Sequence, residues 1–363
     1  MLETGKIDGR QATSLMINII ISEGILFVPA STFALARQDA WMSNIVALSG
    51  GFLMAWMWVS ISWRYPGKTL FEIFQAVFGP VIGKILGFYF CWGWLHIIAH
   101  SLREFTSLLT ANFMPETPVV VLTVAAVALS SYMTYSGLEC IARMTQLFTI
   151  IIIFSVITLF SLSIPEIEVN NLLPVYDAGL LPIIKGSFAP MMWMGHIITL
   201  SNLIPFLNRP QDALKVGAKS LLASFFVIEL VAVGIIAIFG PNLASSYLAP
   251  TLNGARMIHI ANFLDRLELI LMIVWISGGV LKTGLFQWVP VLGLAQLLGL
   301  KSYRPLVVPA GIFIATLSIW LEPNVIRLFT FMNYIWGGAY GLSYVLVFPV
   351  FLLIVIFLKG NKG

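Results

Sequence analysis

A carboxylate inside a lipid-compatible stretch is the first group in this sequence that could do chemistry. Glu23 stands in Ser22-Glu23-Gly24-Ile25-Leu26-Phe27-Val28-Pro29, within a long apolar run. A charge at such a depth costs at least about 2.5 kcal/mol, so Glu23 calls for a cation, a ligand ammonium or a proton. Lys282 is its natural partner, set in the small-residue segment Ser277-Gly278-Gly279-Val280-Leu281-Lys282-Thr283-Gly284. Glu229 is a second deep acid whose partner the sequence does not show. Trp92-Gly93-Trp94, His96, Ile97 and His100 bring small, aromatic and titratable groups to helical spacing, so one face of that segment could line a cavity. Arg103-Glu104 reads as a structural ion pair closing the same helix. A further run, Gly186 to Pro190 followed by Met191-Met192-Trp193-Met194-Gly195-His196, breaks its own apolar pattern with glycine and proline.

The elements that must position these groups are membrane helices. Of 363 residues 59% are hydrophobic and 10% charged, and the mean hydropathy is +0.94. Apolar runs of the roughly 20 residues needed to cross the hydrocarbon recur along the whole chain. They are continuous rather than alternating, which excludes a membrane β-barrel. The expected spans are 12–35, 42–63, 83–110, 118–136, 141–163, 180–206, 216–239, 267–298, 305–321 and 333–358, in one transmembrane domain covering 1–363. The first of them follows a polar head and has no cleavage site, so it is expected to stay in the mature protein.

An even number of spans puts both termini on one side. With the termini inside, thirteen lysines and arginines fall in cytoplasmic segments and six outside, which favours cytoplasmic termini. Thr69 to Phe78 carries an apolar face at helical spacing and is expected to lie along the inner surface. Pro241 to Glu268 is the longest outer loop, with a short helix expected near Met257 to Leu264.

Interruptions in spans one and six, five apart, are what a five-plus-five inverted repeat would give. There, half-helix ends offer free amides and carbonyls to a small polar ligand near the bilayer midplane. Catalysis finds no support: the chain has no phosphate-binding G-x-x-x-x-G-K-[ST], no H-E-x-x-H and no G-x-S-x-G. Cys91 and Cys140 lie in apolar helix and have neither zinc nor disulfide spacing. No cofactor or metal is expected. The net charge of +4 is spread over short loops, which speaks for topology and against nucleic acid.

Longer strings carry a resemblance. Gly5-Lys6-Ile7, Gly24-Ile25-Leu26-Phe27-Val28-Pro29, Gln38-Asp39-Ala40-Trp41, Tyr65-Pro66-Gly67-Lys68-Thr69-Leu70-Phe71-Glu72, Leu102-Arg103-Glu104-Phe105 and Asn171-Leu172-Leu173-Pro174-Val175 resemble the B subunit of spore germinant receptors, the endospore germination permease family. The likeness covers nearly the whole chain and is most specific over its first 175 residues. It implies ten helices in the amino acid-polyamine-organocation superfamily fold, the inner membrane of the dormant spore, and assembly with A and C subunits. Members recognise nutrients, commonly amino acids. One departure stands out: the family often has an acid shortly after the glycine of span six, where this chain has His196.

The combined expectation is an all-α nutrient-sensing subunit with a pocket built from spans one, three, six and eight. Ser22, Glu23, Gly24, Ile25, Phe27, Gly93, His96, Ile97, Trp193, Gly195, His196, Gly278, Lys282 and Phe286 would line it and bind a small zwitterion such as an amino acid. Two other readings stay open: a proton-coupled amino acid permease acting alone, titrating Glu23 or Glu229, and an ion-conducting subunit gated by nutrient.

Overall fold

The computed structural model describes residues 2–177, 179–258, 267–321, 324–336 and 338–359. In hydrocarbon every backbone polar group must find a partner inside the protein, so the apolar stretches close as helices. They run α1 (Gly9–Ala36), α2 (Ala40–Arg64), α3 (Leu70–Asn112), α4 (Val119–Ser136), α5 (Leu138–Ser163), α6 (Leu180–Met194) and α7 (Thr199–Leu203). The second half holds α8 (Ala213–Ser246), α9 (Pro250–Arg256), α10 (Glu268–Leu298), α11 (Val307–Leu321), α12 (Val325–Thr330), α13 (Ala339–Leu342) and α14 (Phe348–Lys359). Among the described residues the one β-bridge pairs Ile7 with Leu207.

Eight stretches among the described residues are long and apolar enough to cross a membrane. The first, Gly9–Arg64, reverses at Arg37, whose φ of 52° separates α1 from α2, and so supplies two spans. Span six falls outside the eight because a 3-10 turn at Gly195–Ile198 divides α6 from α7. Among the described residues this gives ten spans, the last of them Ala339–Lys359 with a π-helical segment at Ser343–Val347.

Packing carries the repeat that the sequence only hints at. α1 packs on α8 as α6 packs on α2, and α3 packs on α11 as α10 packs on α4. Each relation becomes the other when every span is exchanged for the one five places away. The joints repeat as well. Gly79 (φ 81°, ψ 174°) precedes Pro80 between spans two and three, and Gly240 (φ 72°, ψ 164°) precedes Pro241 between spans seven and eight. Positive φ is open to glycine without a Cβ clash, so both sharp bends sit on that residue.

Two expectations need correction. Span one is not unwound, since α1 is a single α-helix from Gly9 to Ala36. Pro29 has no N–H for the carbonyl of Ile25, and the hydroxyl of Thr251 in α9 donates to that carbonyl at 2.6 Å. The lost bond is replaced from another element and the helix keeps its course. Span six does depart from the α-helix, but only by tightening into the 3-10 turn. In the loop between spans seven and eight the described helix is α9; residues 259–264 of the helix expected there lie outside the described residues.

Ahead of α1, the first described residues form a strap. The carboxylate of Glu3 accepts from the backbone N–H of Gly5 at 2.8 Å and of Leu138 at 3.2 Å, the indole N–H of Trp288 at 3.3 Å and the hydroxyl of Tyr303 at 2.9 Å. Burial pushes this carboxyl up, yet the four donors outweigh it and hold Glu3 below the usual carboxylate range. Lys6 donates its ammonium to the carbonyl of Pro205 at 2.8 Å, and Ile7 exchanges backbone bonds with Phe206 and Asn208 at 2.9 Å each. The strap ties the start of α5, the end of span six and the end of α10 together.

Candidate functional site

The site is built where α1, α3, span six and α10 cross. Two adjacent glycines of α10 let the neighbouring helices in. A Cβ on Gly278 would stand 2.8 Å from the Cβ of Ser22, and one on Gly279 would stand 3.0 Å from the ring of Phe105. At that level Lys282 Nζ reaches Glu23 Oε2 at 2.7 Å, with both side chains almost wholly buried at 1% and 2% exposure. The ammonium also stands 5.4 Å from the ring centre of Phe286, a cation–π contact. A buried ion pair of this kind is weak evidence for stability, because desolvation offsets most of the attraction.

Glu104 belongs to the same cluster. It is 1% exposed, its carboxyl lies near that of Glu23 and near Lys282, and its Oε2 accepts no hydrogen bond. The expected ion pair with Arg103 at the end of the span is therefore corrected: neighbours in a helix point about 100° apart, and Glu104 turns inward. Ser101, one turn earlier on α3, likewise has a buried hydroxyl without a partner.

Aromatic rings form the wall beside the charges. His196 is buried, and its ring lies near the backbone of Ile19. Its ring lies 5.3 Å from Phe286, 6.2 Å from Trp336 and 6.5 Å from Trp193. The indole N–H groups of Trp94, Trp193 and Trp336 are buried and unpartnered. A residual cavity of about 20 Å³ lies between Gly93, Trp94, Ile97, His196, Trp336 and Tyr344, room for one water molecule.

The residues singled out from sequence fall into two groups. Ser22, Glu23, Gly24, Trp193, His196, Gly278, Lys282 and Phe286 come together; Gly24 meets Trp193, where an added Cβ would stand 3.2 Å from the indole. Gly93 and Ile97 reach the cluster through the small cavity, and Gly195 packs against Val345 of the last span. His96, Phe27 and Ile25 turn elsewhere. His96 Nδ1 meets the hydroxyl of Tyr340 at 3.1 Å, Phe27 packs 6.3 Å from Trp275, and the Ile25 side chain lines an apolar cavity of about 50 Å³ with Thr251 and Leu271. Sequence reasoning left Glu104, Ser101, Trp94 and Trp336 out of the site, although Trp94 stood in the segment expected to line a cavity. Helical phase was a usable signal for the first three, since residues 94, 97, 101 and 104 recur at steps of three and four.

Residues 6–326 match the family model described as spore germination protein. The chain belongs to that family. This spore germination protein is 25% identical to spore germination protein KB of Bacillus subtilis (strain 168), over 99% of its own length and 97% of the relative's. It is 28% identical to putative spore germination protein YfkT of the same organism over 86% of both chains. Among solved structures it is similar to a substrate-bound, outward-open Na+-coupled sialic acid symporter at a TM-score of 0.67 and 12% identity, covering 92% of this chain and 77% of that one. It is also similar to MhsT in complex with L-phenylalanine at a TM-score of 0.63 and 11% identity, covering 98% and 99%. At such identities the likeness shows the fold alone, which is that of membrane transporters.

Proposed function

We propose that this chain is the nutrient-binding membrane subunit of a spore germination receptor, and that it binds a small zwitterion such as an amino acid between α1, α3, span six and α10. The observation that carries the reading is the concentration of unanswered polar atoms beside the Glu23–Lys282 pair. Ser22 Oγ, Ser101 Oγ, Glu104 Oε2 and the indole N–H groups of Trp94, Trp193 and Trp336 are buried without a partner. Each such group costs about 1–3 kcal/mol, which a packed core avoids and a solute with both donors and acceptors would recover. In this reading the acids and hydroxyls take an ammonium, and the indole and imidazole N–H groups take a carboxylate.

Signalling follows from population shift: a ligand that prefers one arrangement of span six and the strapped terminal face makes that arrangement dominant. In this reading the chain catalyses no reaction, crosses the spore inner membrane with both termini in the cytoplasm, and passes the change to A and C subunits. The test is a thermal-shift screen of the purified chain in lipid nanodiscs against amino acids, sugars and nucleosides. An amino acid that raises the unfolding temperature of the native chain and not of the His196→Ala variant supports the assignment. Equal shifts in both remove it, and concentrative uptake by the chain alone in liposomes replaces the sensor with a permease.

A further inference from the structure

Adjacent glycines in α10 bring α1 and α3 to one level, at Ser22 and Phe105 respectively. The next residue on α1 and the preceding one on α3 are Glu23 and Glu104, and Lys282 lies one turn along α10. Three ionisable side chains thus meet in a space closed to water, each no more than 1% exposed as a residue. Among the described residues His196 from span six is a further titratable group near Lys282, and His100 lies one turn before Glu104 on α3, stacked on Phe331 at 3.6 Å.

Two carboxylates and one ammonium leave a net charge of −1 if all are ionised, and a buried unpaired charge is far costlier than a protonated group. The closeness of the two carboxyls adds a chemical constraint. An ionised carboxyl only accepts, so two buried carboxyls set close together can bond to each other only when one of them carries a proton. We propose that the Glu23–Glu104 pair holds one proton, and that this proton leaves when the ammonium of a ligand docks on Glu104. Binding is then an exchange: one positive charge arrives, one departs as a proton, no covalent bond to carbon changes, and Lys282 stays with Glu23. The inference rests on the ligand-site reading above for its second half only; the held proton stands without a ligand.

Infrared spectroscopy of the full chain in nanodiscs at about pH 7, in H2O and D2O, tests the two halves separately. In a Glu229→Gln background, which takes away the other deeply buried acid, the chain should show the carbonyl stretch of a buried protonated carboxyl, and adding Glu104→Gln should remove it. If the band survives in both Glu104→Gln and Glu23→Gln, the shared proton is overturned. Should Glu104→Gln fail to fold, Glu23→Gln and Glu104→Asp carry the same comparison. Methylammonium chloride should bleach the band where tetramethylammonium chloride, with no N–H to donate, does not. A band that methylammonium leaves intact overturns the exchange and spares the proton. For an amino acid identified by the thermal-shift screen, affinity should rise about tenfold per pH unit while one proton is released; an affinity flat with pH sinks the exchange as well.

Discussion

Removing the Glu3 carboxyl is the most direct challenge to the strap. In Glu3→Ala, Gly5 N–H can turn to water and the Tyr303 hydroxyl keeps the Thr134 carbonyl at 3.5 Å. Leu138 N–H and the Trp288 indole cannot, since both residues are 0% exposed. Two orphaned buried donors at about 1–3 kcal/mol each put the loss at about 2–6 kcal/mol. Thermal unfolding in nanodiscs should fall by roughly 5 °C or more. The pH dependence has a definite sign. The folded value of Glu3 is lowered from an ordinary 4.5, so its contribution is fully present above that pH and fades as the pH drops through the folded value. The gap between native and variant chains should stay constant across neutral pH and narrow in acid. An unfolding temperature within a degree of native at neutral pH, or a gap that widens in acid, would refute the account.

Lys282→Met should cost about 3–5 kcal/mol by stranding Glu23, and the double variant Glu23→Gln/Lys282→Met should recover most of it; chemical denaturation of all three variants decides, and equal losses in single and double would dismiss the pairing. Thr251→Val should cost about 1–3 kcal/mol by leaving the Ile25 carbonyl bare, whereas Thr251→Ser should be close to native in the same assay. Glu229 accepts from Asn44 Nδ2 at 2.8 Å, a bond that Gln can also accept, so Glu229→Gln should change stability by less than about 1 kcal/mol. A larger loss would mean that Glu229 acts through its charge.

Hydropathy made the ten spans legible, because lipid permits few other ways to satisfy a backbone. The Glu23–Lys282 contact was legible for a related reason: two opposite charges in apolar runs have few other places to go. Span one was misread because the group that satisfies the Ile25 carbonyl comes from Thr251, more than two hundred residues away. Local sequence shows the proline and not the hydroxyl that answers it. Glu104 was misread through its neighbour, since Arg103 in sequence is not Arg103 in direction. His96 was placed in the site by helical spacing and Phe27 as apolar wall, yet His96 meets Tyr340 and Phe27 packs on Trp275.

The hydroxyl on Ile25 has a mechanical side. α9 belongs to the loop between spans seven and eight, and its one threonine grips the backbone two residues from Glu23. Anything that clasps that loop from outside would tug on the buried charges without entering the bundle, which makes the loop a handle on the middle of the protein.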